Sequence, residues 1–462
     1  GGWGWKLALC RHVAIDRGTR RIKKWVTQCT WHKRILEKFA YLDDLTGLKN
    51  LHGLYEAFEK KPLDNVHFIY VDIDDSSTMN AIFGNEAVDG IIFEVAKTLV
   101  DYCGNSDVYK IGADQFLLTT ESHIICEPSE LSKILKQPVK RNGSSYIIKA
   151  SVCVLDYDDF KGDTLEDLVK FMKFSINIEK RKRKNTLIFA DQSMKDYYLE
   201  KKEIEQHIFQ AVRRKEFFPK FQPFVDTFTN KIIGFEAVSR WNLNGKVLKP
   251  QKFLEIAEWT GLIYAIEMYM FQEAVRFFVE LKNDKTIKLS SRFKASLNFS
   301  SYTLIHVKTS KLLEILYSNG CSASDFIIEI RENYITDDEA YEKVKELHSA
   351  GFLIALDEYT NNNSSLTYLA DLKVDILKLG ECLLMKMDTD QEYMKMYSIY
   401  KFMSDIGKKF DLTIVSTGIA NAEHVKLAKS LDINIGSGKF YSKAVVKEEF
   451  VKLFTQLKKK RG

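Results

Sequence analysis

From about residue 200 to the C-terminus the chain repeats one rhythm, and nothing else in it restricts the fold as tightly. Eight β-rich stretches, FPKFQPFVD, KIIGFEAVSRW, FKASLNFS, DFIIEIRE, FLIALDEY, VDILKLG, LTIVSTG and INIGSG, alternate with helical stretches. Eight strand–helix units in about 260 residues is the arithmetic of a (β/α)8 barrel. A polar residue stands near the C-terminal end of nearly every strand: Glu236, Asn298, Glu329, Asp357, Lys378, Thr417 and Ser437. In a barrel those ends converge on one face, where active sites lie. One such residue is commonly a satisfied structural group, whereas seven in order point to a site.

The segment before the barrel reads differently. Residues 41–191 alternate strand-like and helix-like stretches, which predicts an α/β sandwich. HFIYVDID is a strong strand, NEAVDGIIFEVAKTLVDYC carries apolar residues at helical spacing, and SYIIKASVCVLDY and DTLEDLVKFMKFSINIEK follow as a strand and a helix. YKIGADQFLL reads as a β-hairpin with Gly112 at the first position of a type II′ turn, where positive φ is needed. That turn puts Asp114 at the tip of a rigid element. Residues 1–40 are basic and read as a lead-in helix with a solvated face, or as a coiled-coil relay from an absent sensor. The domains expected are thus 1–40, 41–191 and 192–462.

Composition excludes several classes. A hydrophobic share of 45% makes the chain globular. A formal charge of +5 is too small at this length to indicate a nucleic-acid binder, and no DNA partner is expected. No apolar run is long enough to span a membrane. Seven scattered cysteines (10, 29, 103, 126, 153, 321 and 382), without a CxxC pair, argue against a zinc site or a disulfide framework. The expected location is the cytoplasm, either alone or as the cytoplasmic part of a longer membrane-attached protein. The run EKRKRKN at 179–185 reads as a solvated helix end, a phosphate contact within its own domain, or a nucleic-acid patch.

The barrel residues suggest their own chemistry. Glu236, Asn298, Glu329 and Asp357 are hard oxygen donors suited to one Mg²⁺ or Mn²⁺. Lys378 supplies a cation for a phosphate, and Arg240 can make a bidentate phosphate or guanine contact. Carboxylates and cations on one barrel face suit a phosphodiester.

Those stretches, with QPFVD, LDEYTNNNSSLTYLADLKVDILKLG and GSGKFYSKAV, resemble the EAL domain of cyclic di-GMP phosphodiesterases. The motif reads Glu236-Ala237-Val238 here. The resemblance implies an EAL-type (β/α)8 TIM-like barrel. It places Glu236, Asn298, Glu329 and Asp357 as ligands of the first metal. Gln222 and Arg240 become dinucleotide contacts, and Lys378 the active-site lysine. The departures bear on activity. The family's paired aspartates are Asp357-Glu358, its small-residue loop is Tyr359-Thr360-Asn361-Asn362, and a family glutamate is Thr417. The family's glutamine before the last glycine is Ser437. Two-metal hydrolysis needs ligands for both ions. The second would rely on Asp357, a longer Glu358 and a neutral Thr417, so very weak or absent hydrolysis is expected.

DDLTGLKN, IYVDIDDSSTMNAIFGNEAVDG, YKIGADQF and EKRKRKN together resemble the GGDEF domain of diguanylate cyclases, a nucleotidyl-cyclase-like α/β sandwich. Asp114 then becomes the surviving metal carboxylate of the hairpin, with Asp72 as its partner. Asn80 and Asp89 match the guanine-reading pair, and Lys180 and Lys184 the triphosphate-holding bases. Ala113, Gln115 and Ser76-Ser77 stand where the family has glycine, an acid and a Phe-Lys pair, so little synthesis is expected while GTP binding survives.

The expectation is therefore a cyclic di-GMP receptor or effector with a GTP-responsive first domain, a homodimer that passes its state to an unknown protein partner. One alternative is an active phosphodiesterase yielding pGpG. Another is a scaffold that binds neither nucleotide, although a scaffold has no need to keep Glu236, Asn298, Glu329, Asp357 and Lys378.

Overall fold

The computed structural model describes residues 40–459, less 60, 104–107, 121–127, 137, 142–143, 332–337, 360–371 and 386–389. The expected lead-in helix before residue 40 and the Asn-rich stretch lie outside the described residues. The chain divides into two compact units, Gly1–Glu200 and Lys201–Gly462. The division falls inside the helix Gln192–Arg214.

The first unit is built on β1 (Lys49–Asn50), β2 (His67–Ile73), β3 (Val108–Lys110), β4 (Gln115–Thr120), β5 (Val139–Arg141), β6 (Ser144–Tyr146), β7 (Ala150–Asp156) and β8 (Leu187–Phe189). Six of them form one sheet in the order β1-β3-β4-β2-β7-β8, while β5 and β6 pair apart as a ribbon. The single strand expected over SYIIKASVCVLDY is thus two, β6 and β7. Central β2 is buried on both faces, which suits its run of aromatic and β-branched residues. Apolar residues of helix Asn85–Cys103 cover one face with Ile69, Val71 and Ile73. Those of helix Leu165–Lys182 cover the other with Phe68 and Tyr70. That second helix starts where Thr164 accepts the Asp167 N–H at 3.2 Å. It ends in Lys180, Arg181 and Lys182, cations that complement its C-terminal dipole.

The β3–β4 hairpin differs from the expected one. Pairing stops at Lys110↔Phe116, and the Ile111 N–H donates to the Gln115 carbonyl at 2.9 Å. The loop is therefore Gly112-Ala113-Asp114 rather than a two-residue type II′ turn. Gly112 does not have positive φ. Its lack of a side chain serves space instead, since a Cβ there would lie 2.5 Å from Gln115 Oε1. The buried Lys110 ammonium holds the loop, donating to the Gly112 and Ala113 carbonyls at 2.7 Å each.

The second unit closes a barrel from β9 (Phe217–Asp226), β10 (Ile232–Leu243), β12 (Lys294–Asn298), β13 (Phe326–Arg331), β14 (Leu353–Tyr359), β15 (Ile376–Leu379), β16 (Thr413–Ser416) and β17 (Ile435–Gly436), with β11 (Lys246–Leu248) outside on β10. All eight expected strands are present. The eight strand–helix units are not, because β9 runs antiparallel to both β10 and β17. No helix separates β9 from β10. Asp226 closes the turn between them, accepting the Phe228 N–H at 3.1 Å and the Thr229 N–H at 2.8 Å, an Asx turn that propensity-based reading of a βα rhythm overlooks. The remaining barrel strands are parallel neighbours. Helix Ile263–Asn283 packs its apolar face outside the barrel, where Phe221, Phe235, Phe277 and Phe450 meet with ring centroids 4.1–6.3 Å apart.

Candidate functional sites

Barrel pairing brings the polar strand ends together. Glu236 lies opposite Gln222 on β9 and Ser296 on β12. Asn298 lies opposite Glu329, and Arg331 opposite Asp357. The pairing of β9 with β10 slips between Ile232 and Gly234. On its other side Gly234 lets β10 close on β12, because a Cβ would sit 2.4 Å from the Lys294 carbonyl oxygen.

The centre of this cluster is the Lys378 ammonium. It donates to Glu329 Oε2 at 2.6 Å and Glu236 Oε2 at 2.9 Å, and lies 3.4 Å from Asp357 Oδ1. Asn298 Nδ2 donates to Glu236 Oε1 at 2.9 Å, and Ser296 Oγ donates to Glu329 Oε1 at 2.5 Å. Glu329 and Lys378 are buried, Glu236 and Asp357 half-buried, and Asn298 exposed. Burial, followed by the charges of Glu236 and Asp357, pushes the Glu329 carboxyl up to about 8 against the pull of Lys378. Burial alone would lower Lys378, but Asp357, Glu236 and Glu329 outweigh it and hold the ammonium well above its ordinary value. Three acids around one ammonium leave the cluster short of positive charge when all are ionised.

Other predicted residues sit at its edge. Gln222 Nε2 donates to the Ser442 carbonyl at 2.5 Å. Arg240 is lowered by burial, with Glu236 opposing, and its guanidinium donates to the Ser239 carbonyl at 2.8 Å. Glu358 is exposed, stands 3.7 Å from the Arg331 guanidinium, and has φ of +52° at an irregularity of the β14–β15 pairing. Thr417 Oγ1 donates to the Leu379 carbonyl at 2.5 Å. Beside it, Gly438 has φ of +152°, and a Cβ there would meet the Ile419 backbone at 2.3 Å. A cavity of about 190 Å³ is lined by Glu236, Asn298, Asp357, Glu358, Arg331 and Glu267. Glu267 is buried and accepts the Ser300 N–H and hydroxyl at 3.0 Å, yet burial pushes it up to about 7.

The first unit has its own cluster. Lys180, in the last turn of its helix, donates to Asp72 Oδ1 at 2.5 Å and pairs with Asp74 Oδ1 at 2.8 Å. Gln115 Nε2 donates to the other Asp72 oxygen at 3.1 Å, and Ser76 Oγ donates to Asp114 Oδ2 at 2.5 Å. Burial raises Asp72 despite Lys180, with the Asp114 charge adding. Lys184 pairs with Asp75, and Lys182 with Glu179 at 2.7 Å. The basic run is therefore partly spent on acids of its own unit. Asn80 and Asp89 are exposed. Asp74 escaped the sequence reading. It is buried, accepts the Ser151 hydroxyl at 3.0 Å and takes the Asn185 N–H at 2.7 Å. Its signal was available, since strand alternation puts residues 72 and 74 on one face.

An acid-lined barrel mouth, preceded by an α/β unit whose hairpin carries Asp114 and whose central strand carries Asp72, fits a tandem GGDEF–EAL architecture. The chain belongs to the EAL domain family, whose model matches residues 205–444, and the model of the diguanylate cyclase GGDEF domain matches residues 40–186. Among curated relatives, the cyclic di-GMP phosphodiesterase NbdA of Pseudomonas aeruginosa is 22% identical over 94% of this chain and 57% of its own length. The bifunctional diguanylate cyclase/cyclic di-GMP phosphodiesterase MucR of the same organism is 24% identical over 93% and 64%. The chain thus spans a little over half the length of these relatives. Among solved structures, the S helix-GGDEF-EAL part of Vibrio cholerae LapD, bound to c-di-GMP, superposes with a TM-score of 0.54 at 14% identity, covering 90% of this chain and 99% of that one. The EAL enzyme Bd1971 in its cAMP- and cyclic-di-GMP-bound form gives 0.53 at 21%, covering 67% and 82%. At these identities the structural likeness speaks to the fold alone.

Among the described residues no helix is long and apolar enough to cross a membrane. No group of three His, Cys, Asp or Glu side chains among them is arranged to hold an ion as it stands. In the barrel the acids gather on Lys378.

Proposed function

We propose that this chain is a cyclic di-GMP receptor that hydrolyses its ligand very slowly or not at all. One observation carries the reading: the two residues a second metal would need are already engaged by other partners. The Thr417 hydroxyl is spent on the Leu379 carbonyl, and Glu358 faces Arg331 at the exposed edge. Glu236, Asn298, Glu329 and Asp357 remain as hard oxygen donors around one centre, and their chemistry fits a single Mg²⁺ or Mn²⁺ once the acids turn from Lys378. Such an ion, when bound, polarises a phosphoryl oxygen. Gln222 and Arg240 flank the cluster and are suited to hold the dinucleotide. Relatives and structural neighbours whose names carry cyclic di-GMP support that ligand.

In the first domain, Asn80 and Asp89 remain available for a guanine, while Lys180 and Lys184 are committed to acids. GTP binding there would have to draw Lys180 or Lys184 away. A titration with GTP that gives no signal would remove this half of the reading. An active phosphodiesterase is the second reading, favoured by the retained first donor set and by the names of the relatives.

The test is Thr417→Glu, which returns a carboxylate to the position where the resembled family carries a glutamate. Product analysis with Mn²⁺ should find linear pGpG from the variant at a rate well above that of the unaltered chain. Rapid pGpG production by the unaltered chain would sink the receptor reading.

A further inference from the structure

The barrel has a second opening. Barrels of this kind are ordinarily filled by layers of bulky branched side chains. Here the middle layer contains Ser296 and Ala355 beside the Glu329–Lys378 pair. A cavity of about 580 Å³ results, reaching from the N-terminal ends of the parallel strands up to Glu329 and Lys378. It shares no lining residue with the cavity on the other side of the cluster. Between the deep polar groups and a polar mouth, Phe224, Ile327, Leu353, Ile376 and Val415 give it an apolar middle. The deep polar groups are already matched to one another, since Ser296 and Lys378 both donate to Glu329. This end of the cavity asks for no further polar partner.

The rim is different. Arg292 is neutralised by Asp226 at 2.9 Å. Lys294, half-exposed, donates only to a neutral acceptor among its described contacts, the Ser324 carbonyl at 2.7 Å. Of the rim acids, Asp375 is held by the Ile354 N–H at 2.8 Å and faces His348 at 3.4 Å. Asp411 precedes β16, four places from β12 in the strand order, and so stands across the opening from Lys294. A volume of several hundred Å³ with an apolar middle and, at its mouth, a cation that meets no acid among its described contacts is the usual form of a small-ligand site.

We propose that this lumen is a second binding site, for a small monocarboxylate whose hydrocarbon body fills the space below Ala355 and whose carboxylate meets Lys294. It is separate from the dinucleotide reading and stands whether or not that reading holds.

Calorimetric titration of the full chain with octanoate, and with octanol as the uncharged counterpart, tests it. Octanoate should bind as one molecule per chain. Ala355→Leu should weaken it by about tenfold or more, and Lys294→Met by about tenfold while leaving octanol unchanged. Val415→Leu fills the same space from another strand and serves if Ala355→Leu does not fold. No octanoate binding to the unaltered chain overturns the site. Undiminished binding in both filled variants does the same, and binding indifferent to Lys294→Met overturns the carboxylate assignment.

Discussion

Replacing Lys378 by methionine asks the most of the acid cluster. The side chain is 3% exposed, and its ammonium is the shared partner of Glu329, Glu236 and Asp357. Methionine keeps the length of the stem and removes the charge. Removing one partner from a buried ionic cluster costs about 3–5 kcal/mol, because the remaining charge is stranded away from water. For a barrel of this size that corresponds to a fall in Tm of about 6–20 °C. The loss should depend on pH in a definite direction. Burial and the neighbouring acids already raise Glu329 to about 8 with the lysine present, and without it the carboxyl moves higher still. A group raised on folding contributes stability that is complete below its unfolded value and is lost as pH rises through its folded value. The variant should therefore lie near the unaltered chain at pH 5 and well below it at pH 8.5. Urea unfolding followed by the fluorescence of buried Trp241, with chelator present, reads the difference. Equal stability at pH 8.5, or an equal loss at both pH values, would refute the reasoning.

Other outcomes follow from single contacts. Gly234→Ala forces a Cβ to 2.4 Å from the Lys294 carbonyl, and denaturant unfolding should register a loss of about 1–3 kcal/mol or more. Glu267→Gln removes a buried carboxyl raised to about 7, so the stability that the unaltered chain loses between about pH 4.5 and 7, at most about 3 kcal/mol, should no longer be lost. Unfolding curves for Glu267→Gln that track those of the unaltered chain at every pH would contradict the second.

The eight barrel strands were legible because short apolar runs ending in polar residues carry the strand pattern and bring those residues to one face. The direction of β9 was not, since a strand reads the same from either end and its reversal rests on the Asx turn at Asp226. Glu236, Asn298, Glu329, Asp357 and Lys378 stand out together in the sequence, and side-chain contacts gather them around the Lys378 ammonium. What the residue types did not tell was their partners. Lys180 reads as a phosphate ligand but rests on Asp72 and on the unsuspected Asp74, contacts 108 and 106 positions away in the chain. The Gly112 turn failed for a related reason: a glycine beside strands suggests positive φ, whereas here the Gln115 side chain occupies the space a Cβ would need.

The direct measurement is a calorimetric titration of the chain with cyclic di-GMP in Mg²⁺, followed by analysis of the recovered nucleotide. The account predicts micromolar or tighter binding with the dinucleotide recovered intact, and loss of metal-dependent binding in Glu236→Ala. Absence of binding, or recovery of the nucleotide as pGpG, would contradict it.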